Sequence, residues 1–132
     1  MGIWVLIIRT QITLIMRQEL ENRLVELALS INRICKLLDK SYLSQHLTTQ
    51  ILRSSTSAAL NYGEAQAAES RNDFIHKTSI VLKELRETKV SLKLFIDSMK
   101  KEEIQKLIAC QNECDQLVAI FHKTVMSTKQ KK

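Results

Sequence analysis

Proline is absent from all 132 residues, and glycine occurs only twice, at Gly2 and Gly63. Tight turns draw on these two residue types, because glycine reaches positive φ without a Cβ clash and proline presets the turn geometry. A sheet protein needs several such turns, so the chain reads as long helices joined by short loops. Aromatic residues are scarce as well, with one Trp, two Tyr and three Phe. Trp4, Tyr42 and Tyr62 have no spacing that would build a stacking platform for bases. Long apolar runs are missing too. The stretch Ile3 to Ile8 is broken by Arg9, whereas a membrane-spanning helix takes ~20 residues. That stretch also lacks the preceding cations and following small residues of a signal peptide. Leu6 stands where a myristoylation signal has Ser or Thr. No membrane partner is expected.

Three cysteines, Cys35, Cys110 and Cys114, form no CxxC pair. Cys110 and Cys114 are one helical turn apart, too few for a metal site without other ligands. They read as reduced thiols packed as small apolar side chains, which places the chain in the cytoplasm. The formal charge of +6 is compatible with anionic partners without requiring them.

What the chain does have is helical periodicity. Leu20, Leu24, Leu27, Ile31, Ile34 and Leu38 recur at intervals of four and three, a single apolar stripe. Asp39 to Leu43 reads as a loop, followed by a second helix over about 44–69 with Leu47, Ile51, Ser54, Ala58, Asn61 and Ala65 inward. Ser70 and Asp73 have capping-box spacing and start a third helix. Its stripe is Phe74, Thr78, Val81, Leu85, Thr88, Leu92, Phe95 and Met99. Lys100 and Lys101 mark a break. The fourth stripe is Ile104, Leu107, Gln111, Cys114, Val118, Phe121 and Val125. Short loops make neighbours antiparallel, so the expected fold is an all-α, up-down-up-down four-helix bundle over residues 16–126. Residues 127–132 read as a disordered basic tail. Residues 1–15 precede the regular pattern and read as an extension, either poorly packed or upstream of a true start at Met16.

One segment stands apart. "NYGEAQAAES", residues 61–70, favours helix but holds almost no large apolar side chain. With Ser54, Ser55 and Ala58 before it, it offers a small-residue face that lets the third helix approach closely. Asn61 and Glu64 then lie beside that contact, with Arg71, His76, Lys77 and Lys83 on the third helix as possible partners, and Asn61 is expected to be buried and hydrogen-bonded to a group such as His76 or Lys83.

At these residues the sequence resembles the bacterial four-helix-bundle proteins related to the protein encoded in intervening sequences of large-subunit ribosomal RNA genes. The resemblance spans about residues 19–123. It is carried by Arg53, Ser54 and Ser57 of "RSSTS", by "NYGEA", by "SRNDFIHK" and by "LKELRET". It implies the bundle fold and a homo-oligomer, typically a ring of five. Relatives in diversity-generating retroelements are accessory subunits that bind nucleic acid and a reverse transcriptase, so RNA, DNA and a nucleic-acid-processing protein are implied partners. The family often has Gly where this chain has Ser55, and Pro or Ile where it has Ala58. It usually begins near Met16. The polar positions of its motifs here are Asn61, Glu64, Asp73, His76, Lys77, Glu84 and Glu87.

Three functional readings remain. A bundle-core di-metal enzyme carries Glu-x-x-His on two helices. No Glu lies three residues before His46, His76 or His122, and Asp73 is explained as a cap. Ion pairs with Lys83, Arg86 or a neighbouring subunit account for Glu84 and Glu87. No catalytic, cofactor or metal residue is therefore assigned. A nucleic-acid binder would use Arg53, Arg71, Lys77, Lys83, Arg86, Lys89 and Lys93. These are spread around the helix with acids between them, as on any solvated surface. An assembly module, or a purely protein–protein adaptor, would use the outward apolar residues Leu60, Ile80, Val90 and Leu94. The sequence favours a non-enzymatic homo-oligomeric scaffold or binding subunit.

Overall fold

The computed structural model describes residues 2–98 and 104–130. They form four helices: α1 (Ile3–Cys35), α2 (Tyr42–Gln66), α3 (Arg71–Ser98) and α4 (Ile104–Gln130). α2 packs on α3, α3 on α4, and α1 on both α2 and α4, leaving α1 diagonal to α3. Cross-helix partners run in opposite directions along the chain. Glu64 meets Lys77 while Arg53 meets Glu84, and Arg71 meets Thr128 while Cys114 meets Leu85. The result is an antiparallel four-helix bundle, as the periodicity predicts.

The connections follow from local chemistry. Asp39 accepts a bond from the Ser41 N–H, and Ser41 Oγ accepts from the Ser44 N–H at 3.2 Å, capping α2. α2 therefore starts two residues earlier than the sequence pattern implies. It ends after Gln66, where Ala67 leaves helical geometry. Ser70 Oγ accepts from the Asp73 N–H at 3.0 Å and opens α3. Asp73 reaches back to the N–H of Glu69 rather than of Ser70, so the reciprocal half of the box is shifted by one residue.

The core keeps most of the predicted stripes, with Leu20, Leu38, Phe74, Ile104, Gln111 and Val118 only half-buried at its edges. Leu24, Ile31, Ile51, Val81, Leu85, Leu92, Phe95, Leu107 and Phe121 are almost wholly buried. Each such side chain contributes about 1.5–3 kcal/mol of burial. Leu82, Cys110 and Leu117 also join it. Ser54, Ser55 and Ala58 of α2 are fully buried, and at the contact with α3 Ser54 Oγ and Thr88 Oγ1 share a hydrogen bond of 2.7 Å. Small side chains there let two helix backbones approach, and each hydroxyl also donates or shares a bond with its own helix.

Three expectations are corrected. Asn61 is only half-buried, and its amide donates to the carbonyl oxygen and Oγ of Ser57 on its own helix, not to α3. Tyr62 takes the buried place instead, packed edge-on against Phe121 with ring centroids 5.1 Å apart. Spacings 58–61–65 and 58–62–65 are equally helical, and the larger apolar body wins the interior. The tail is not irregular over 127–130. α4 runs to Gln130, and Arg71 donates to the carbonyl oxygens of Thr128 and Lys129 at its end. Such a cation on exposed C-terminal carbonyls is stabilising. Met99, the break at Lys100 and Lys101, and residues 131–132 lie outside the described residues.

Residues 3–16 continue α1 as uninterrupted helix. Their apolar side chains are exposed, with Trp4 at 73% and Ile15 at 64%. Thr10 and Thr13 turn their hydroxyls onto the carbonyls of Leu6 and Arg9. No described helix is long and apolar enough to cross a membrane.

Candidate assembly and binding surfaces

The motif residues of α2 and α3 meet along one seam. Arg53, half-exposed on α2, donates to Glu84 Oε2 at 3.1 Å and to Glu87 on the next turn of α3. The bond to Glu87 chiefly, with Glu84 adding its charge, raises the Arg53 pKa above its ordinary value. Glu84 is buried, a position that helical patterning places at the edge of the apolar stripe. Glu84 and Glu87 thus take their cation from α2, not from Lys83 or Arg86 on their own helix. At the other end of the seam, Lys77 Nζ donates to Glu64 at 2.6 Å, which raises the Lys77 pKa. His76 is exposed, and Lys83 is on neither Asn61 nor Glu64. Asp73 acts as the cap described above.

The seven candidate cations therefore divide. Arg53, Lys77 and Lys89 are spent on carboxylates, Lys89 on Asp115 of α4 at 3.0 Å, and Arg71 on the end of α4. Among the described residues, Lys83, Arg86 and Lys93 form no ion pair with a carboxylate. Arg86 Nη2 instead lies 3.5 Å from His122 Nδ1.

Lys83 and Arg86 line an open groove along α3, about 870 Å³, to which the first turns of α2 and the last turns of α4 also contribute. Its floor is aliphatic, with Leu82, Val90, Val125 and Met126. Its polar edge includes His46, His122 and Lys129. No aromatic ring other than the two imidazoles lines it. Sequence reasoning missed this groove because its residues come from three helices.

Of the predicted outward apolar residues, Leu60, Val90 and Leu94 are exposed at 68%, 59% and 46%, whereas Ile80 is half-buried. They sit on adjacent helices.

The thiols are free and have the chemistry of packing groups. Burial pushes Cys35 and Cys110 up, and Cys114, donating to the Leu85 carbonyl oxygen at 3.3 Å, is pushed up to about 12. Such thiols are poor nucleophiles and poor metal ligands. Among the described residues, no group of three His, Cys, Asp or Glu side chains is placed to hold a metal ion.

Comparison with known proteins bears on the same bundle. The family described as 23S rRNA-intervening sequence protein matches residues 17–123. A crystal structure of a protein of unknown function from the S23 ribosomal protein family of Bacteroides thetaiotaomicron is similar at a TM-score of 0.71. The two sequences are 30% identical over 80% of this chain and 97% of that one. Among curated proteins, none matches.

Proposed function

The chain belongs to the 23S rRNA-intervening sequence protein family, and from that starting point we propose that it is a non-enzymatic scaffold subunit that assembles with copies of itself, five to a ring. The observation that carries this reading is the exposure of Leu60, Val90 and Leu94 on the adjacent helices α2 and α3. Scattered apolar residues are ordinary on a surface, but several large ones on neighbouring helices mark a face to be covered. The three free thiols, two of them buried, fit a reducing cytoplasm.

Replacing Leu94 by Glu tests the reading. A charge inside a dry contact costs several kcal/mol, so the variant is to sediment as one chain while keeping its helical circular dichroism. An unchanged assembly would remove Leu94 from the interface.

Nucleic acid is the second function proposed, and the specific support is that Lys83, Arg86 and Lys93 have no carboxylate partner among the described residues. In a ring that leaves the outer face of α3 uncovered, these cations repeat and form a continuous anion-attracting surface. Titration with single- and double-stranded RNA and DNA at rising salt is the test. Binding that weakens with salt supports it, and no binding at low salt removes it.

A further inference from the structure

Two faces on opposite sides of the bundle are chemically complementary. α1 and α3 are diagonal across the bundle. The α3 groove presents Lys83, Arg86 and Lys129 around an aliphatic floor that includes Leu82, Val90 and Met126. Its one carboxylate, Glu87, is already held by Arg53. The outer face of α1 presents Val25 and Leu29, one turn apart and 43% and 47% exposed. Glu19 and Glu26 share that face, at the helical spacing of seven residues, and both are exposed. Glu26 bonds to Arg33 there, both side chains being well exposed. A surface pair of this kind is worth about 0–1 kcal/mol, so it is easily exchanged for another cation.

We propose that the α3 groove of one copy receives the outer face of α1 of the next. The proposal rests on the self-assembly argued above and names one contact within it, the one that covers Val90. Charge selects this occupant, since the groove is cationic and aliphatic while this stretch of α1 is acidic and aliphatic. Length agrees as well. Residues 19–29 of α1 span ~15 Å and residues 79–91 of α3 span ~18 Å at the helical rise. Val25 and Leu29 of one copy then cover the Val90 end of the groove floor in the other, and Glu19 and Glu26 lie within reach of Lys83 and Arg86. Because the two faces lie on different sides of one chain, the contact is heterologous. Each copy uses its groove on one neighbour and its α1 on the other, which generates a closed ring or an open filament and never a two-fold dimer.

The test uses the whole chain and reads mass by light scattering after size exclusion, with circular dichroism to show that each variant is folded. All the altered side chains are exposed, so the fold is expected to persist. Lys83→Glu with Arg86→Glu reverses the groove. Glu19→Lys with Glu26→Lys reverses the α1 face. Each double variant is expected to run as a single chain, and the four substitutions together are to restore assembly. If the unaltered chain assembles and either double variant still does, these faces are not the contact, although self-assembly stands. If both double variants dissociate and the fourfold variant does not reassemble, the two faces do not meet each other and the proposal falls. If the unaltered chain is itself a monomer, the contact falls along with the assembly reading.

Discussion

Arg53 of α2 and Glu84 of α3 are bonded across the helix contact, Nη1 to Oε2 at 3.1 Å, with the carboxylate buried and the guanidinium half in water. The same guanidinium also holds Glu87. One cation on α2 therefore spans two acids on successive turns of α3, and it ties the register of these two helices to a group that cannot be left alone.

Removing the cation leaves Glu84 as a buried acceptor without its charged partner. Arg53→Met is expected to destabilise the fold by about 1–3 kcal/mol. Adding Glu84→Gln is to recover part of the loss, since the neutral amide is cheaper to bury. Urea denaturation of the two variants measures both effects, and an unchanged midpoint for Arg53→Met would mean that water already serves Glu84.

Gly63 sits inside α2 with no positive φ, and a Cβ added there would meet only Glu21 Oε1, at 3.9 Å. The position has room for alanine and no backbone need for glycine. Gly63→Ala is expected to stabilise the fold by about 0.5–1 kcal/mol through helix propensity. A rise in thermal midpoint agrees, whereas a fall would show that this site is closer-packed than its surroundings indicate.

Cys114 gives the stability a dependence on alkaline pH. The folded state holds its thiol protonated to about 12, against an ordinary value of 9.0. Its contribution is complete below the unfolded value and is lost as pH rises from about 9 towards 12, because the unfolded chain releases the proton first. Cys35, Cys110 and Tyr62 shift in the same direction through burial. Denaturation at a series of pH values should therefore show stability falling above pH 9, and Cys114→Ala should show a shallower fall over that range. Parallel slopes would contradict the assignment.

Residues 3–15 form the free end of α1 with nearly every side chain exposed. A chain starting at Met16 is expected to keep its thermal midpoint within about a few degrees, since unpacked termini contribute little. A loss beyond that would mean that Trp4 and its neighbours pack on the bundle in solution.

The apolar stripes were legible because intervals of three and four leave few alternatives over seven turns. Leu24 to Ile34 and Val81 to Phe95 are buried where periodicity puts them. The exchange of Asn61 for Tyr62 shows the limit, since adjacent positions at the edge of a stripe satisfy the same spacing and only packing against Phe121 separates them. The polar seam was half legible. "NYGEA" and "LKELRET" pointed to Glu64, Glu84 and Glu87, and Lys77 was among the partners the third helix offers Glu64. That Lys77 rather than its neighbours meets Glu64, and that Arg53 meets Glu84 and Glu87, depends on the register between two helices, which no local pattern carries. The late end of α4 was missed for a related reason, since Arg71 of α3 caps its last carbonyls. α2 ends where Ala67 leaves helical geometry, with neither glycine nor proline to mark it.

The mass of the unaltered chain in solution decides between a lone bundle and an assembling one. One chain weighs 15.2 kDa. Light scattering at micromolar concentration is expected to give five times that value, with Leu60, Val90 and Leu94 shielded from solvent. A mass of 15.2 kDa under the same conditions would contradict self-assembly and leave those side chains as bare surface.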